Sequence, residues 1–388
     1  MKLLHISDLH LGKVVNHISM LEDQEYLFFG PILDIIRSEQ PDGIIIAGDV
    51  YDSSTATKGA MDLMDRMLEK LAELRIPAFI ISGNHDSETF VGFGESFFSL
   101  GGIHLSPQFS GKAKAVTMND SYGEVTIYLL PYLTPALVRK HFPDKTIASF
   151  TDAVRTVVES LCIDTSRRNV LVAHQFVTGA SRTESERVQV GGTDNVDASA
   201  FNGFDYVALG HIHRPQYIGR KPEELGPGPV IRYSGSPLKY SFSEVNDVKS
   251  VTVVELGEKG KLSIHLDPLV PRTDMAELRG TFEELTAKSF YEGKPFKDQY
   301  LRITLTDDYD IANVRERLLK VYPKLMTIDF DNSRTRSSQV IEALDDIKSM
   351  SPIDLVEKFF ELQTGSEMKA EQKAYSQKLL DQVFEEEA

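Results

Sequence analysis

From residue 2 to about residue 265 the chain repeats one pattern: a short apolar run, then a polar cluster rich in Gly, Asp, Asn and His. The runs lie at 2–6, 43–47, 78–81, 125–130, 169–173, 206–209 and 230–233 and are built from Ile, Val, Leu, Phe and Tyr. They are too short for helices, and their near-continuous apolarity predicts strands buried on both faces. Helical spacing falls between some of them. Met64, Met67, Leu68 and Leu71 recur at i, i+3, i+4 and i+7 before Pro77 opens the next run. Alternating strand and helix predicts an α/β domain over residues 1–270.

The pattern then changes. Residues 266–275, LDPLVPRTDM, carry two prolines and read as a linker. Beyond them Thr281 and Glu284 have the spacing of a capping box. A strand at 300–305, a helix at 311–321 and a strand at 325–330 complete a small α+β domain over 276–335. Ser351-Pro352 opens a further helix, which Gly365 closes. The last helix carries Tyr375, Leu379 and Val383 one turn apart, with Leu380 and Phe384 widening the stripe, so residues 340–388 form a C-terminal helical segment.

Composition narrows the class. Of 388 residues, 41% are hydrophobic and 26% charged, enough for a packed core. The one cysteine, Cys162, excludes a disulfide framework and reads as a small buried hydrophobe. No run approaches the roughly 18 apolar residues of a membrane span. The opening MKLLHISDLHL sets Asp8 and two histidines where a signal peptide needs unbroken apolar residues, so a soluble cytoplasmic protein is expected. Net charge is −16, which argues against coating nucleic acid through a uniformly basic surface. Residues 340–388 hold 12 acids and 5 bases, so this tail supplies −7 of that charge and leaves room for a local basic groove elsewhere.

Five polar clusters follow predicted strands: Asp8-Leu9-His10, Gly48-Asp49-Val50-Tyr51-Asp52, Gly83-Asn84-His85-Asp86, His174, and Gly210-His211-Ile212-His213. Ligands in open α/β sheets bind beyond the carboxyl ends of strands, so one fold can gather all five. Carboxylate, imidazole and amide-oxygen donors suit two divalent ions that clamp a phosphodiester and activate a water. Asp8 and His10, two apart on an extended segment, can reach one ion, and His211 and His213 share that spacing. His85, next to the donor Asn84, points elsewhere and can serve as an acid held by a carboxylate. The glycines before Asp49, Asn84 and His211 permit tight strand-to-loop turns.

The ordered set D-x-H, GDxxD, GNHD, strand-end His and GHxH resembles the calcineurin-like metallophosphoesterase superfamily. The DLHLG opening, the stretch from Gly191 to Gln216 and SGSPLKYSF from Ser234 to Phe242 resemble its SbcD family of bacterial nuclease subunits. The resemblance implies a two-sheet sandwich flanked by helices, with a small α+β capping domain that presents DNA and C-terminal helices that dock an SbcC-type coiled-coil ATPase. It implies two Mn²⁺ per chain, although the ligands alone would accept Fe²⁺ or Zn²⁺. One ion would be held by Asp8, His10, Asp49 and His213 and the other by Asp49, Asn84, His174 and His211, with Asp49 bridging. His85 would protonate or steady the leaving oxygen, with Asp52 orienting it. The implied activity is DNA repair by double-strand exonuclease and single-strand or hairpin endonuclease action, in a homodimer. Lys13, His17, Arg182 and Arg187 are the candidate DNA contacts, with Arg214, Lys239, Arg334 and Arg336 as further basic residues; 178–194 reads as a mobile DNA-facing loop.

Three other readings fit less well. A protein phosphatase of this superfamily would read GDxVDRG and GNHE, where this chain has GDVYDSS and GNHD. A cyclic-nucleotide phosphodiesterase has no need of the C-terminal third. An idle scaffold would show a broken ligand set, and this one is complete.

Overall fold

The computed structural model describes residues 1–186, 194–224, 226, 228–332, 352–364 and 368–386. The chain divides into two compact units, Met1–Met275 and Ala276–Ala388.

The first unit contains two six-stranded sheets. One holds β1 (Lys2–Ile6), β2 (Gly43–Ala47), β3 (Ala78–Ile81), β4 (Ile103–Ser106), β11 (Ser250–Leu256) and β12 (Leu262–Pro268), in the order β12-β11-β1-β2-β3-β4. The other holds β5 (Lys114–Asp120), β6 (Gly123–Leu130), β7 (Arg168–His174), β8 (Tyr206–Gly210), β9 (Gln216–Ile218) and β10 (Val230–Tyr233), in the order β9-β10-β8-β7-β6-β5. The central strands run parallel, and β11, β12, β9 and β5 add antiparallel edges.

The strand period of two decides which side chains meet. Val170 and Val172 face the other sheet and pack with Leu3, Ile45, Ala47, Phe79 and Ile81. Leu171 and Ala173 point the opposite way, onto Val138, Val154, Val157 and Val158 of helices Pro135–His141 and Phe150–Ser160. Helix Lys58–Glu73 is capped by the Thr57 hydroxyl and buries Met64, Met67, Leu68 and Leu71, the stripe read from the sequence. This is the two-sheet sandwich flanked by helices. Among the described residues no helix is long and apolar enough to cross a membrane.

Some readings need correction. The proposed linker begins inside a strand, because Leu266 and Pro268 belong to β12 and pair with Thr252 and Ser250. Cys162 is exposed: it sits at φ +50° just past helix Phe150–Ser160, where the chain turns into the loop before β7. The helix expected over 311–321 is confined to Val314–Leu319.

In the second unit β13 (Met275–Gly280), β14 (Tyr300–Leu305) and β15 (Leu325–Phe330) form a sheet in that order. Thr281 and Glu284 make both bonds of the capping box. Leu278, Phe282, Leu285, Ile303, Leu318 and Tyr322 are part of its core. Helices Pro352–Thr364 and Ala370–Glu386 pack on each other, with Lys373 paired to Glu357 at 2.5 Å. Ser351, Gly365, Arg334 and Arg336 lie outside the described residues.

Candidate metal centre

The loops that follow β1, β2, β3, β7 and β8 converge. Beyond the end of β1 the chain stays bonded to the segment after β2, through Asp8 N to Gly48 O (3.0 Å), His10 N to Asp49 O (3.0 Å) and Leu11 N to Val50 O (2.8 Å). The segment is not extended as expected. Asp8 (φ +54°), His10 (+44°), Asp49 (+48°) and His211 (+101°) all have positive φ, which costs a non-glycine residue on the order of 1–3 kcal/mol each. All four are buried, so surrounding packing holds them there.

The glycines before the donors act differently from one another. Gly48, at φ +87°, makes the turn, and a Cβ there would overlap His174 Nδ1. Gly83 and Gly210 have no such φ; what they supply is space. A Cβ on Gly83 would overlap Asp49 Oδ1, and one on Gly210 would overlap the Ala47 carbonyl.

The donors fall into two halves joined by Asp49. In the first, Asp8, His10 and His213 place donor atoms within 4.8 Å of one another, with His10 Nε2 and His213 Nε2 3.0 Å apart. Asp8 accepts from Ser7 Oγ (2.5 Å) and from His211 N (2.9 Å). In the second, Asn84 Oδ1 lies 3.1 Å from His174 Nε2 and 2.8 Å from His211 Nδ1. Asp49 Oδ2 is 3.3 Å from His174 Nε2 and 3.7 Å from His10 Nε2, so its carboxylate faces both halves.

This arrangement fits cations. His174 Nδ1 lies 2.8 Å from the Ala47 carbonyl, which only accepts, so Nδ1 carries the hydrogen. A neutral His174 then turns a lone pair on Nε2 toward the oxygens of Asp49 and Asn84. Three electron-rich atoms meet, and only a positive species between them relieves the repulsion. Without a metal a proton takes that place: burial opposes the charge, yet Asp49 pushes the His174 pKa up to about 9. Asp49 itself is held well below the usual range by His174 and His10, against its burial. His10 goes the other way, to about 4, chiefly through burial. His211 Nε2 is buried without a hydrogen-bond partner.

His85 stands beside the donors, its ring edge-on to His10 at 4.9 Å. Its Nδ1 lies 2.9 Å from the main-chain carbonyl of Asp52, which corrects the expected carboxylate partner. The Asp52 carboxylate instead pairs with Lys13 Nζ at 2.7 Å and approaches His10 Nδ1 at 3.5 Å.

The other basic candidates are mixed. Arg182 is tied to Asp194 (2.8 Å) and lies 3.7 Å over the Phe176 ring, Arg214 pairs with Asp247, and Lys239 pairs with Asp274. His17 is exposed in a tight hairpin turn. Arg187 lies outside the described residues.

Several further residues support the donors, and of these Asp86 closes the GNHD motif while the rest carry no motif. Asp86 accepts from the N–H groups of Gly83 (2.8 Å), Val50 (3.0 Å) and Tyr51 (2.8 Å) and so clamps two donor loops together. Burial, with Asp49 nearby, raises its pKa to about 7. Gln24 ties the 9–12 loop, donating to His10 O at 2.8 Å and accepting from Gly12 N at 3.0 Å. Behind His213 stand Ser185, Glu186, Glu244 and Lys249.

Comparison with known proteins gives the lineage. Residues 1–215 match the calcineurin-like phosphoesterase family, and residues 271–364 match the type 5 capsule protein repressor C-terminal domain. The chain is 31% identical over its whole length to the SbcD subunit of the nuclease SbcCD of Staphylococcus epidermidis, covering 100% of that protein. It is 32% identical, again over its whole length, to that of Staphylococcus saprophyticus subsp. saprophyticus, covering 99% of it. The chain belongs to the SbcD family of calcineurin-like phosphoesterases. SbcD-family membership makes it a metal-dependent phosphoester hydrolase, and the first-unit centre is the one place among the described residues where buried carboxylate, imidazole and amide donors converge.

Proposed function

We propose that the chain is the nuclease subunit of an SbcCD-type DNA repair complex in the cytoplasm, working with Mn²⁺ as a double-strand exonuclease and a single-strand or hairpin endonuclease. The supporting observation is the carboxylate of Asp49 facing both donor halves at once. Asp8, His10, Asp49 and His213 would hold one ion, and Asp49, Asn84, His174 and His211 the other. When bound, the ions supply Lewis acidity at the phosphate and lower the pKa of the attacking water.

The chain's own residues do the rest. The Asp52 carbonyl fixes the hydrogen of His85 on Nδ1, which leaves Nε2 to exchange a proton with the departing oxygen. Asp8, His10, Asp49, His174, His211 and His213 are buried, so they would shield the ions from bulk water. The domain at 276–335 presents DNA. The two C-terminal helices dock the coiled-coil ATPase, a role supported by Phe359, Tyr375 and Leu379, which stay exposed. A second copy of the chain pairs with the first, and Phe93, Phe97 and Leu100, which are 81%, 77% and 86% exposed, are the residues offered for that seam. The double variant Phe97→Glu/Leu100→Glu should then sediment as a monomer where wild type is a dimer.

The test is cleavage by metal-stripped protein given Mn²⁺, Mg²⁺ or Zn²⁺, with linear duplex DNA, single-stranded DNA and a cyclic nucleotide as substrates. DNA should be cut with Mn²⁺, and Asp49→Ala should abolish cleavage. His85→Leu should keep both ions and lose about 10²–10⁴-fold in turnover. Cyclic-nucleotide hydrolysis with DNA left intact would overturn the nuclease reading.

A further inference from the structure

Behind His213 lies a chain of polar contacts, half-buried at Ser185 and buried at Glu244 and Lys249. Ser185 Oγ is 2.6 Å from His213 Nδ1 and 2.6 Å from Glu244 Oε1. Glu244 is fully buried, and its Oε2 meets Lys249 Nζ at 2.6 Å. Lys249 Nζ also donates to the His213 carbonyl at 2.8 Å.

The polarity of this chain is fixed from its far end. Lys249 only donates, so it holds Glu244 as an accepting carboxylate. A carboxylate cannot donate, so Ser185 must give its single hydroxyl proton to Glu244. Ser185 Oγ can then only accept from the imidazole, and His213 Nδ1 must carry a hydrogen. Thr183 Oγ1, 2.7 Å away, occupies the other side of the Ser185 oxygen. The ring is thereby turned so that Nε2 faces His10 Nε2. The main chain is fixed as well, since His213 N donates to Glu186 Oε1 at 2.7 Å.

We propose that Ser185, Glu244 and Lys249 are positioning residues that set His213 as an Nε2 ligand and so tune the affinity of the ion it shares with Asp8 and His10. The proposal rests on the two-ion reading of the centre. An imidazole whose far nitrogen donates to an outer partner, here a hydroxyl held in turn by a carboxylate, is oriented as a ligand, and loss of such an outer partner weakens metal binding about 10–100-fold. The second half has no counterpart among the described residues: His174 is anchored by a main-chain carbonyl.

The experiment is calorimetric titration of metal-free wild type, Ser185→Ala, Ser185→Thr and Glu244→Gln with Mn²⁺, alongside DNA cleavage across the same Mn²⁺ range. Ser185→Ala should weaken one of two bound ions about 10–100-fold and leave the other unchanged. Its kcat should return to near wild type at saturating Mn²⁺, and Ser185→Thr should restore affinity. Should Glu244→Gln fail to fold, Ser185→Ala, which removes one hydroxyl, still decides the matter. Unchanged affinity for both ions in Ser185→Ala, or a kcat loss that saturating Mn²⁺ does not recover, overturns the relay. A wild type that binds fewer than two Mn²⁺ overturns the two-ion reading beneath it.

Discussion

The two halves of the centre hold their histidines by different means. In the first half the anchor is made of side chains, Ser185 and Glu244 behind His213, while the Asp52 carboxylate only approaches His10 Nδ1 at 3.5 Å. In the second half the anchors are main chain and lack of space. The Ala47 carbonyl holds His174, and Gly48 and Gly210 leave room for nothing larger around its ring. An imidazole can thus be aimed by a polar relay or by close packing, and the two should fail in different ways. Charge-altering substitutions should disturb the first half, and a single added methyl the second.

The largest effect should come from Lys249→Met. It leaves Glu244 buried without its cation, which costs about 3–5 kcal/mol. Urea unfolding measures the loss, and Mn²⁺ titration should show the first-half ion weakened and the second-half ion retained. Equal weakening of both would erase the distinction.

The pH dependence of the metal-free protein sharpens the comparison. The folded pKa of His174, about 9, lies above its unfolded value near 6.5. Its contribution is therefore fully present below pH 6.5 and is lost as pH rises through 9, on the order of 3 kcal/mol. The folded pKa of His10, about 4, lies below the unfolded value. Between pH 6.5 and 4 the unfolded chain binds more protons at this residue, so stability falls on acidification, again by on the order of 3 kcal/mol. Denaturant midpoints of the metal-free protein should fall as pH rises from about 6.5 to 9, a limb led by His174 to which His213, also raised, adds; on the acid side the loss at His10 is opposed by Asp86, whose raised pKa favours the folded state as pH falls below 7. Saturating Mn²⁺ should flatten the alkaline limb, because a cation replaces the proton on His174. Flat midpoints from pH 5 to 9 in the metal-free protein would contradict the assignment.

The smallest effect is that of Gly210→Ala. Its Cβ meets the Ala47 carbonyl and His174, so the strand end must shift, at about 1–3 kcal/mol by thermal unfolding. The second-half ion should weaken more than the first.

Much of this was legible in the chain, for reasons that differ by element. Strands β1, β2 and β3 match the sequence reading residue for residue, because runs buried on both faces and bounded by Pro, Gly or polar residues leave no ambiguity. Edge strand β5, KAVTMND, alternates between half-buried and exposed positions and carries charge at both ends, so nothing in it stands out from a loop. The donors were legible because each follows an apolar run. Their left-handed backbone was not, since Asp and His in that conformation are imposed by the packing around them. Glu244 and Lys249 were illegible for a similar reason: one glutamate and one lysine carry no motif, and they meet His213 only when residues 31 and 36 positions further along fold back onto it.

The central claim is that Asp49 joins two cation sites into one centre. It is tested most directly by counting ions: metal-free wild type and Asp49→Ala are each titrated with Mn²⁺ by calorimetry, with folding verified by circular dichroism. Wild type should bind two ions per chain, and Asp49→Ala should bind neither tightly. A wild type that binds one ion, or an Asp49→Ala protein that keeps both with unchanged affinity, would contradict the claim.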